Sequence, residues 1–528
     1  MRGKKILLTS VILFTFLLLI GKISAFSFIV SPPKVEVTSR SPGKTTFNLQ
    51  VINTEKRGQN FKVYLTDLRL TEEGKLEFSP AGEERRSCAG WIEVKPSKFS
   101  LQPFETEDIL CNIDVQEGRE GEFYATIMVE SQGETEGKEE KLGFKVFSRI
   151  AIPVFILIKE KKITRKISIL SIKVDRSPKN VLQFTVPIKN MGNVRLKVTA
   201  EATIRDILGR RWLEFPLEAG GGTILPESTR YFKAGNVEEN LLFSQGFLEI
   251  SAICKAPYTD KTIETKVIFP FDLKNLLGSS IYLYPLPFAI NPPLIDMSTF
   301  SGGRKSIFLE IDSVGNTNPL CLKANLKDIK INEEGKPYLL DLKDSPSSAP
   351  YRVEIAPDEF VVLSGEKRRL RLNLNIQGKL KGSYYGRVVF HSVGAEKIPI
   401  FYGITLFSTI SNKLSRKCRL LSLKLVDGSQ PHLVFSIKNT GNTHMAVKGN
   451  INLEDERGNS LLTNACFDQG EFIFFPGEIV NLTAVLPYKI PPGKYTVYLK
   501  IFSGEKQLLQ KREKIALQQM QIEYKSKP

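Results

Sequence analysis

The sequence is poor in the residues that most enzymes and metal proteins depend on. Its 528 residues include only 3 histidines, His391, His432 and His444, and none of them lies in an HExxH or Cys/His pattern. There is no GxSxG nucleophile elbow, and Gly43-Lys-Thr45 cannot end a phosphate-binding loop because position 38 is threonine where that loop needs glycine. We therefore expect a protein that is not an enzyme and that uses no metal or other cofactor.

Long apolar runs are also missing after the N-terminus. Arg2, Lys4 and Lys5 precede the apolar run Ile6–Ile20, and Ile23-Ser-Ala25 offers small residues for cleavage. This pattern predicts a secretory signal peptide over residues 1–25, with an uncleaved N-terminal anchor as the alternative. We expect Sec-type export, no transmembrane segment after cleavage, and a mature protein outside the cytoplasm, in the periplasm or at the cell surface.

The charge is strongly positive. The formal net charge is +17, and about +13 without the four basic residues of the predicted signal peptide. Such a surplus favours an anionic surface or an acidic partner. We expect no binding to nucleic acid, because the protein is exported and its basic patches lack interleaved aromatic residues.

The sequence contains an internal duplication. Glu72-Glu-Gly-Lys75 recurs 261 positions later as Glu333-Glu-Gly-Lys336, and Ile188-Lys-Asn-Met-Gly-Asn193 recurs 249 positions later as Ile437-Lys-Asn-Thr-Gly-Asn442. We therefore predict two copies of a two-domain module. After the signal peptide, the predicted boundaries are 26–160, 161–275, 276–410 and 411–518, followed by a basic tail over 519–528.

The hydrophobic pattern is that of antiparallel sheets. Leu65–Leu70 and Leu370–Ile376 alternate apolar with polar residues, which is typical of half-buried strands, and turn residues separate such segments. No long amphipathic helix competes with them. The predicted fold is all-β, with four tandem Ig-like β-sandwich domains.

Two apolar segments close the first domain of each copy. Ile150–Ile158 is apolar on both faces and too short to cross a bilayer as a helix, so we predict a buried strand. Pro153 cannot donate a ladder hydrogen bond, which confines the strand to a sheet edge or a bulge. Lys397–Phe407 is the related segment of the second copy.

The cysteines of an exported chain suggest disulfide bonds. Cys88 and Cys111 lie in one domain, and both of their counterparts in the other copy are other residues. The same holds for Cys418 and Cys466, so we predict two disulfides, Cys88–Cys111 and Cys418–Cys466. Cys254 and Cys321 are either buried thiols or an interdomain bridge.

Basic residues occur at both junctions between the two domains of a module. Equivalent charge at both places favours a cleft that receives a carboxylate or another anion, with a solvated linker as the alternative. The residues concerned are Lys159, Lys161, Lys162 and Arg165 in the first copy, and Lys413, Arg416 and Lys417 in the second.

Several motifs together resemble the N-terminal domain of PapD-like periplasmic pilus chaperones. They are Pro32-Pro33, Trp91–Pro96, Gly121–Ala125 and Arg149–Phe155, with Pro292-Pro293 and Ile398–Phe401 in the second copy. The second domains are only generically Ig-like, and the tandem duplication is unlike a single chaperone. In that family a two-domain chaperone lends the last strand of its first domain to a partner subunit, and a pair of basic residues holds the subunit's C-terminal carboxylate. Arg149 matches one of this pair.

The resemblance implies an assembly factor for pili or surface structures, which binds envelope or pilus protein subunits by strand addition. The implied partner-binding residues are Ile150, Ile152, Val154, Ile156, Ile158, Ile398, Ile400 and Ile404. The chain is also similar to bacterial Ig-like surface proteins. The alternative function is therefore a structural or adhesive envelope protein whose basic faces bind anionic wall polymer.

Overall fold

Strands make up almost all of the regular structure. The computed structural model describes residues 27–132, 147–159, 162–177, 181–238, 245–272, 280–292, 294–296, 303–313, 319–341, 351–376, 383–393, 403–409, 414–427, 431–487 and 490–517. In these ranges the helical structure is the 3-10 turn Ala89–Trp91, and no helix is long and apolar enough to cross a membrane. The predicted signal peptide and the predicted basic tail lie outside these ranges.

The strands form four successive pairs of sheets, which we call units 1 to 4. Unit 1 contains β1 (Phe28–Ser31), β2 (Val35–Ser39), β3 (Gly43–Asn53), β4 (Gln59–Leu70), β5 (Leu76–Pro80), β6 (Ile92–Lys95), β7 (Lys98–Leu101), β8 (Thr106–Val115), β9 (Gly121–Gln132) and β10 (Ser148–Ile158). Unit 2 contains β11 (Ile167–Ile169), β12 (Ile172–Arg176), β13 (Val181–Asn190), β14 (Leu196–Asp206), β15 (Arg211–Leu217), β16 (Thr223–Ile224), β17 (Thr229–Glu238), β18 (Gln245–Lys255), β19 (Thr262–Asp272) and β20 (Ser280–Leu283).

Units 3 and 4 follow in the second half of the chain. Unit 3 contains β21 (Phe288–Asn291), β22 (Leu294–Asp296), β23 (Arg304–Ser313), β24 (Leu320–Ile331), β25 (Pro337–Asp341), β26 (Tyr351–Ala356), β27 (Glu359–Val362), β28 (Lys367–Ile376), β29 (Ser383–Ser392) and β30 (Gly403–Thr409). Unit 4 contains β31 (Cys418–Val426), β32 (His432–Asn439), β33 (Met445–Asp455), β34 (Ser460–Ala465), β35 (Phe472–Phe474), β36 (Ile479–Val485), β37 (Gly493–Ser503) and β38 (Lys506–Leu517).

The strand order of unit 1 recurs in unit 3. Unit 1 has the sheets β1-β3-β8-β6 and β2-β10-β9-β4-β5, and unit 3 has β21-β23-β28-β26 and β22-β30-β29-β24-β25. Each unit has a cluster of buried apolar side chains between its two sheets, and the cluster of unit 3 also includes Phe247 and Ile268 of unit 2. This is the two-layer packing of Ig-like sandwiches, so the all-β prediction is confirmed. The exact domain boundaries stay a prediction, and one strand of unit 2, β20, lies beyond residue 275, where it pairs with β12.

The repeated Asn-x-Gly-Asn turn is held by a buried asparagine. The side-chain amide of Asn190 donates to the carbonyl oxygens of Val194 (2.8 Å) and Ile224 (3.1 Å), and its oxygen accepts from Gly192 N–H (2.9 Å). Asn439 makes the equivalent contacts in unit 4. Because both side chains are fully buried, these amides satisfy backbone groups that water cannot reach.

We expect Asn190→Ala to destabilise unit 2 by about 3 kcal/mol, since it leaves buried carbonyls without a donor. Urea denaturation followed by tryptophan and tyrosine fluorescence would measure the shift. The control is Asn48→Ala, at an exposed strand position. Equal effects of the two substitutions would contradict the stabilising role of the Asn190 side chain.

The two predicted disulfides are not formed, which corrects the sequence interpretation. All six cysteines are free thiols. Cys88 N–H donates to Tyr124 O in one sheet of unit 1, whereas Cys111 lies on β8 in the opposite sheet. Cys418 faces the core of unit 4, whereas Cys466 is exposed on the surface. Parallel loss of two cysteines between copies therefore did not indicate a bond.

Thiol reactivity gives a direct check of this correction. We expect a maleimide to modify Cys321 and Cys466 in the folded protein and all six cysteines only after unfolding. Burial raises the pKa of Cys111 to about 12 and that of Cys418 to about 11, so these two also lack thiolate at neutral pH. Mass spectrometry counts the adducts. Fewer than six adducts after unfolding without reductant would show that a disulfide is present.

Candidate functional site

Strand β10 has one covered half and one open half. It pairs with β9 along its whole length, from Ser148 to Ile158. On its other side, β2 runs parallel to it and pairs only with Val154–Ile158. Among the described residues, no strand pairs with the outer side of Ser148–Pro153. The structure therefore has a short open backbone edge, which agrees with the expectation from Pro153 that this strand lies partly at a sheet edge.

The side chains predicted to bind a partner mostly face the core of unit 1. Ile152, Val154, Ile156 and Ile158 are buried in that core, and Ile150 packs against it while partly exposed. Their even spacing places all five on one face of the strand, and this is the inner face. The prediction that these side chains contact a partner is thus corrected for the four buried ones. A partner can reach the backbone edge and Ile150.

The second copy is described only in part. Ile398 and Ile400 lie outside the described residues. Ile404 is in β30, where it pairs with Val388 of β29, and β22 pairs with the following residues of β30, Thr405–Phe407. The parallel covering strand is thus present in both copies.

The basic residues predicted to line one cleft do not lie together. Arg149 is the second residue of the 11-residue strand β10, and Lys159 follows the other end of that strand, roughly 30 Å away along it. Its Nε donates to Glu130 Oε2 at 2.5 Å, so this guanidinium already has a carboxylate partner. Lys159 and Lys162 are exposed near the linker, and Arg165 donates to Lys261 O at 3.0 Å. Arg416 and Lys417 are exposed at the second linker, while Lys161 and Lys413 lie outside the described residues.

A buried arginine that the sequence analysis missed holds the junction of units 1 and 2. Arg195 Nε lies 3.4 Å from Glu122 Oε1, its Nη2 donates to Glu36, and its guanidinium stacks on Phe155 at 3.6 Å from the ring centroid. Burial raises the pKa of Glu122, and the charge of Arg195 opposes this. The only signal in the sequence is its place two residues after the Asn-x-Gly-Asn193 turn.

The duplicated Glu-Glu-Gly-Lys hairpin tips also contact the next unit. Glu72 O accepts from Tyr231 N–H at 2.8 Å, and Lys233 Nζ lies 2.7 Å from Glu73 Oε2. In the second copy, Gly335 O accepts from Ile479 N–H at 2.9 Å. The motif that revealed the duplication is therefore part of each interdomain junction.

The junction of units 1 and 2 contains an open cleft, which we call the first cleft. It has a volume of about 690 Å³, and its apolar floor is formed by Leu68, Tyr124 and Leu225. Its rim is charged: Glu227 pairs with Arg85 and with Arg86, each at 2.8 Å. Further charged lining residues are Arg69, Glu72, Glu73 and Glu84.

Glu227 sits in an unusual backbone conformation. Its φ is +64°, in the left-handed region that costs an L-residue about 1 kcal/mol, whereas the matching position in unit 4 is Gly477 with φ +81°. The first cleft thus has a glutamate at this position, whereas the second copy has glycine, the residue that this backbone conformation favours. Such an outlier is a reason to look for function at this cleft.

The equivalent cleft of units 3 and 4, which we call the second cleft, is filled. Its apolar residues include Ile329, Tyr385 and Phe475, and they pack around Ile207 and Leu208 from unit 2. These two residues form the tip of the turn between β14 and β15, Asp206–Arg210. The first module thus inserts a turn into the second module.

Arg210 fixes this insertion. Its Nε donates to Asp206 at 2.7 Å, its Nη1 and Nη2 donate to the two carboxylate oxygens of Glu478 at 2.9 and 2.8 Å, and Nη1 also donates to Ile473 O at 2.8 Å. Arg210 and Glu478 are both buried. Burial opposes the charge, but Asp206 and Glu478 outweigh it and raise the pKa of Arg210. Such bidentate pairs are geometrically specific.

The sequence contained a signal for this contact. Turn tips are usually polar, and the matching turn of the second copy is Asp455-Glu-Arg-Gly-Asn459, whereas the first copy has Asp206-Ile-Leu-Gly-Arg210. Two adjacent aliphatic residues at a turn indicate a covered tip. In the described part of the chain, no group of three or more His, Cys, Asp or Glu side chains is placed to hold a metal ion.

We expect Arg210→Ala to cost about 3 to 5 kcal/mol, because it leaves the buried carboxylate of Glu478 unpaired. Thermal denaturation monitored by circular dichroism would show that the variant begins to unfold at a lower temperature than the wild type. The control is Asn459→Ala at the matching position of the exposed turn, which we expect to change little. Equal shifts for both variants would mean that the buried pair does not hold the modules together.

Comparisons with known proteins give structural similarity and no family assignment. No protein-family model and no curated protein matches the chain. Among solved structures, the chain is similar to the class 5 fimbriae chaperone CfaA, with 17% identity over 45% of this chain and 98% of that chain and a TM-score of 0.28. The E. coli chaperone DraB gives 17% identity over 46% and 96%, with a TM-score of 0.24.

A third similar chain comes from the CsuC–CsuE chaperone–tip adhesion subunit pre-assembly complex of Acinetobacter baumannii. It gives 14% identity over 45% of this chain and 98% of that chain, with a TM-score of 0.27. With TM-scores below 0.5, the similarity carries no argument about function.

Proposed function

We propose that this protein is a non-enzymatic assembly factor that acts outside the cytoplasm and binds a partner protein by strand addition. The observation that carries the proposal is the open backbone edge at Ser148–Pro153 of β10. Protein folds usually cover or blunt such an edge, because it offers unpaired N–H and C=O groups to another chain. Strand addition uses these groups for affinity and side-chain pockets for specificity.

The available edge is short. Pro153 has no N–H, so every N–H group that an added strand uses must come from Ser148–Ile152. Each backbone hydrogen bond contributes about 1 kcal/mol net, whereas micromolar affinity needs about 8 kcal/mol. The partner must therefore also bury apolar surface at this edge. Ile150 is partly exposed there and Phe147, directly before β10, is 43% exposed. In the sequence, apolar residues continue at alternate positions upstream, outside the described residues, at Leu142, Phe144 and Val146.

The alternative function, binding of anionic wall polymer through a basic cleft, has no specific structural observation in its favour. Arg149 is paired with Glu130 and lies far from Lys159, and the described linker residues do not converge on one site. We therefore retain protein partners, envelope or pilus subunits in kind, as the proposed class.

The test compares two edge substitutions in the same unit. We expect Ile150→Asp to abolish copurification of a stoichiometric partner from envelope extracts, whereas Val94→Asp preserves it. Both side chains are partly buried against the same core, and Val94 lies on β6, the end strand of the opposite sheet. The two variants should therefore lose similar stability, which thermal denaturation would verify.

Native mass spectrometry after a high-salt wash identifies the bound polypeptide. A partner that survives salt with the wild type and Val94→Asp, but not with Ile150→Asp, supports strand addition. Binding that Ile150→Asp leaves intact would contradict the proposal, and recovery of only salt-sensitive anionic material would favour the alternative.

A further inference from the structure

We propose that the first cleft binds the Asp455–Asn459 turn of a second copy of this chain, so that copies associate head to tail. This inference is independent of strand addition. It depends on the two clefts and the two turns that the duplication has produced, only one pair of which is engaged within the chain.

The two clefts correspond residue by residue. Leu68 and Tyr124 of the first cleft match Ile329 and Tyr385 of the second, 261 positions later, and Leu225 precedes Pro226 as Phe475 precedes Pro476. Each set packs together as one apolar cluster at its junction. The difference is that the second cluster includes Ile207 and Leu208 of the preceding module, whereas the first cleft is an open space of about 690 Å³.

The two turns correspond in the same way. In unit 2, Asp206 Oδ1 accepts from the N–H groups of Leu208 and Arg210, each at 2.9 Å. In unit 4, Asp455 Oδ1 accepts from those of Arg457 and Asn459, each at 2.8 Å. The backbone shape of the turn is therefore shared, while Glu456–Ser460 are exposed. One turn is docked and the other is presented to the outside.

Cleft and turn match in polarity in both pairs. The apolar cluster of the second cleft receives Ile207 and Leu208. The first cleft has a charged rim that includes Arg85, Glu84 and Glu227, and the unit 4 turn presents Glu456 and Arg457. Opposite charges can thus face each other when the unit 4 turn enters the first cleft.

Both residues of the buried ion pair Arg210–Glu478 have neutral counterparts in the other turn and the other cleft. Asn459 replaces Arg210 at the end of the turn, and Ser228 stands in the first cleft where Glu478 stands in the second. An arginine in the turn without this glutamate, or a glutamate without the arginine, would leave a buried charge unpaired. Two neutral polar residues avoid that cost and can bond to each other.

Repeating the contact between modules from chain to chain gives an open, heterologous assembly. The turn of one module enters the cleft of the next, and no two-fold axis closes the arrangement. Glu227, held in the left-handed region by two arginines, is then a cleft residue that serves this contact. Because exposed ion pairs contribute little each, the association should be weak and sensitive to salt.

Sedimentation equilibrium of the mature full-length chain at low salt tests the proposal. We expect the average mass to rise with concentration, and Arg457→Glu to raise the apparent dissociation constant at least about tenfold. The control is Arg419→Glu, at an exposed position of β31 in the same unit, which should leave the association unchanged. A chain that stays monomeric at millimolar concentration, or that associates equally with Arg457→Glu, would overturn the proposal.

A mixing experiment tests the head-to-tail geometry. Arg457→Glu keeps an intact first cleft, and Arg85→Glu keeps an intact unit 4 turn; the Arg85 side chain is 85% exposed, so its substitution should not unfold unit 1. Neither variant should form long assemblies alone, but an equimolar mixture should form a 1:1 dimer that grows no further. A mixture that stays monomeric, or that polymerises, would overturn the head-to-tail arrangement.

Discussion

The buried contact of Arg210 with Asp206 and Glu478 is the polar interaction that fixes how the turn of one module is seated in the cleft of the other. It lies where the turn of unit 2 enters the cleft of units 3 and 4, next to the apolar contacts of Ile207 and Leu208. Apolar packing supplies most of the free energy of such a contact, whereas a bidentate ion pair chiefly fixes its geometry. Trp212, 5.2 Å from Phe472 between ring centroids, extends the same interface.

The same duplication makes the difference between the two clefts visible. Two modules with the same strand order carry equivalent clefts and equivalent turns. In the described residues the first turn occupies the second cleft, whereas the first cleft is open and the second turn is exposed. The rim of the first cleft and the second turn carry charged side chains, which keeps the exposed surface soluble and disfavours entry of the apolar turn of another copy.

Much of the fold was predictable, because it rests on local patterns. Alternating apolar residues, turn residues and a constant register between copies indicate sheets and duplication without any knowledge of long-range contacts. The role of β10 was only half predictable. Its sequence shows a buried strand, but which face meets the core and which part of its edge β2 covers depend on residues more than a hundred positions away.

The junctions were the least predictable part. No role was predicted for Arg195 or Arg210, since arginine is rarely buried without a partner and the partners, Glu122 and Glu478, are distant in sequence. Conversely, the linker lysines and Arg149 suggested a cleft because they are close in sequence or match a remote family. Cysteine pairing failed for a similar reason: co-occurrence within a domain does not bring two thiols within bonding distance.

Hydrogen exchange of the two turns tests the central claim, that one turn is docked and its duplicate is free within the chain. In both turns the aspartate side chain accepts the same two backbone hydrogen bonds, so a difference in exchange reports docking alone. Mass spectrometry of dilute monomeric protein should find the amides of Asp206–Arg210 far more slowly exchanging than those of Asp455–Asn459. Equal exchange in the two turns would contradict the account.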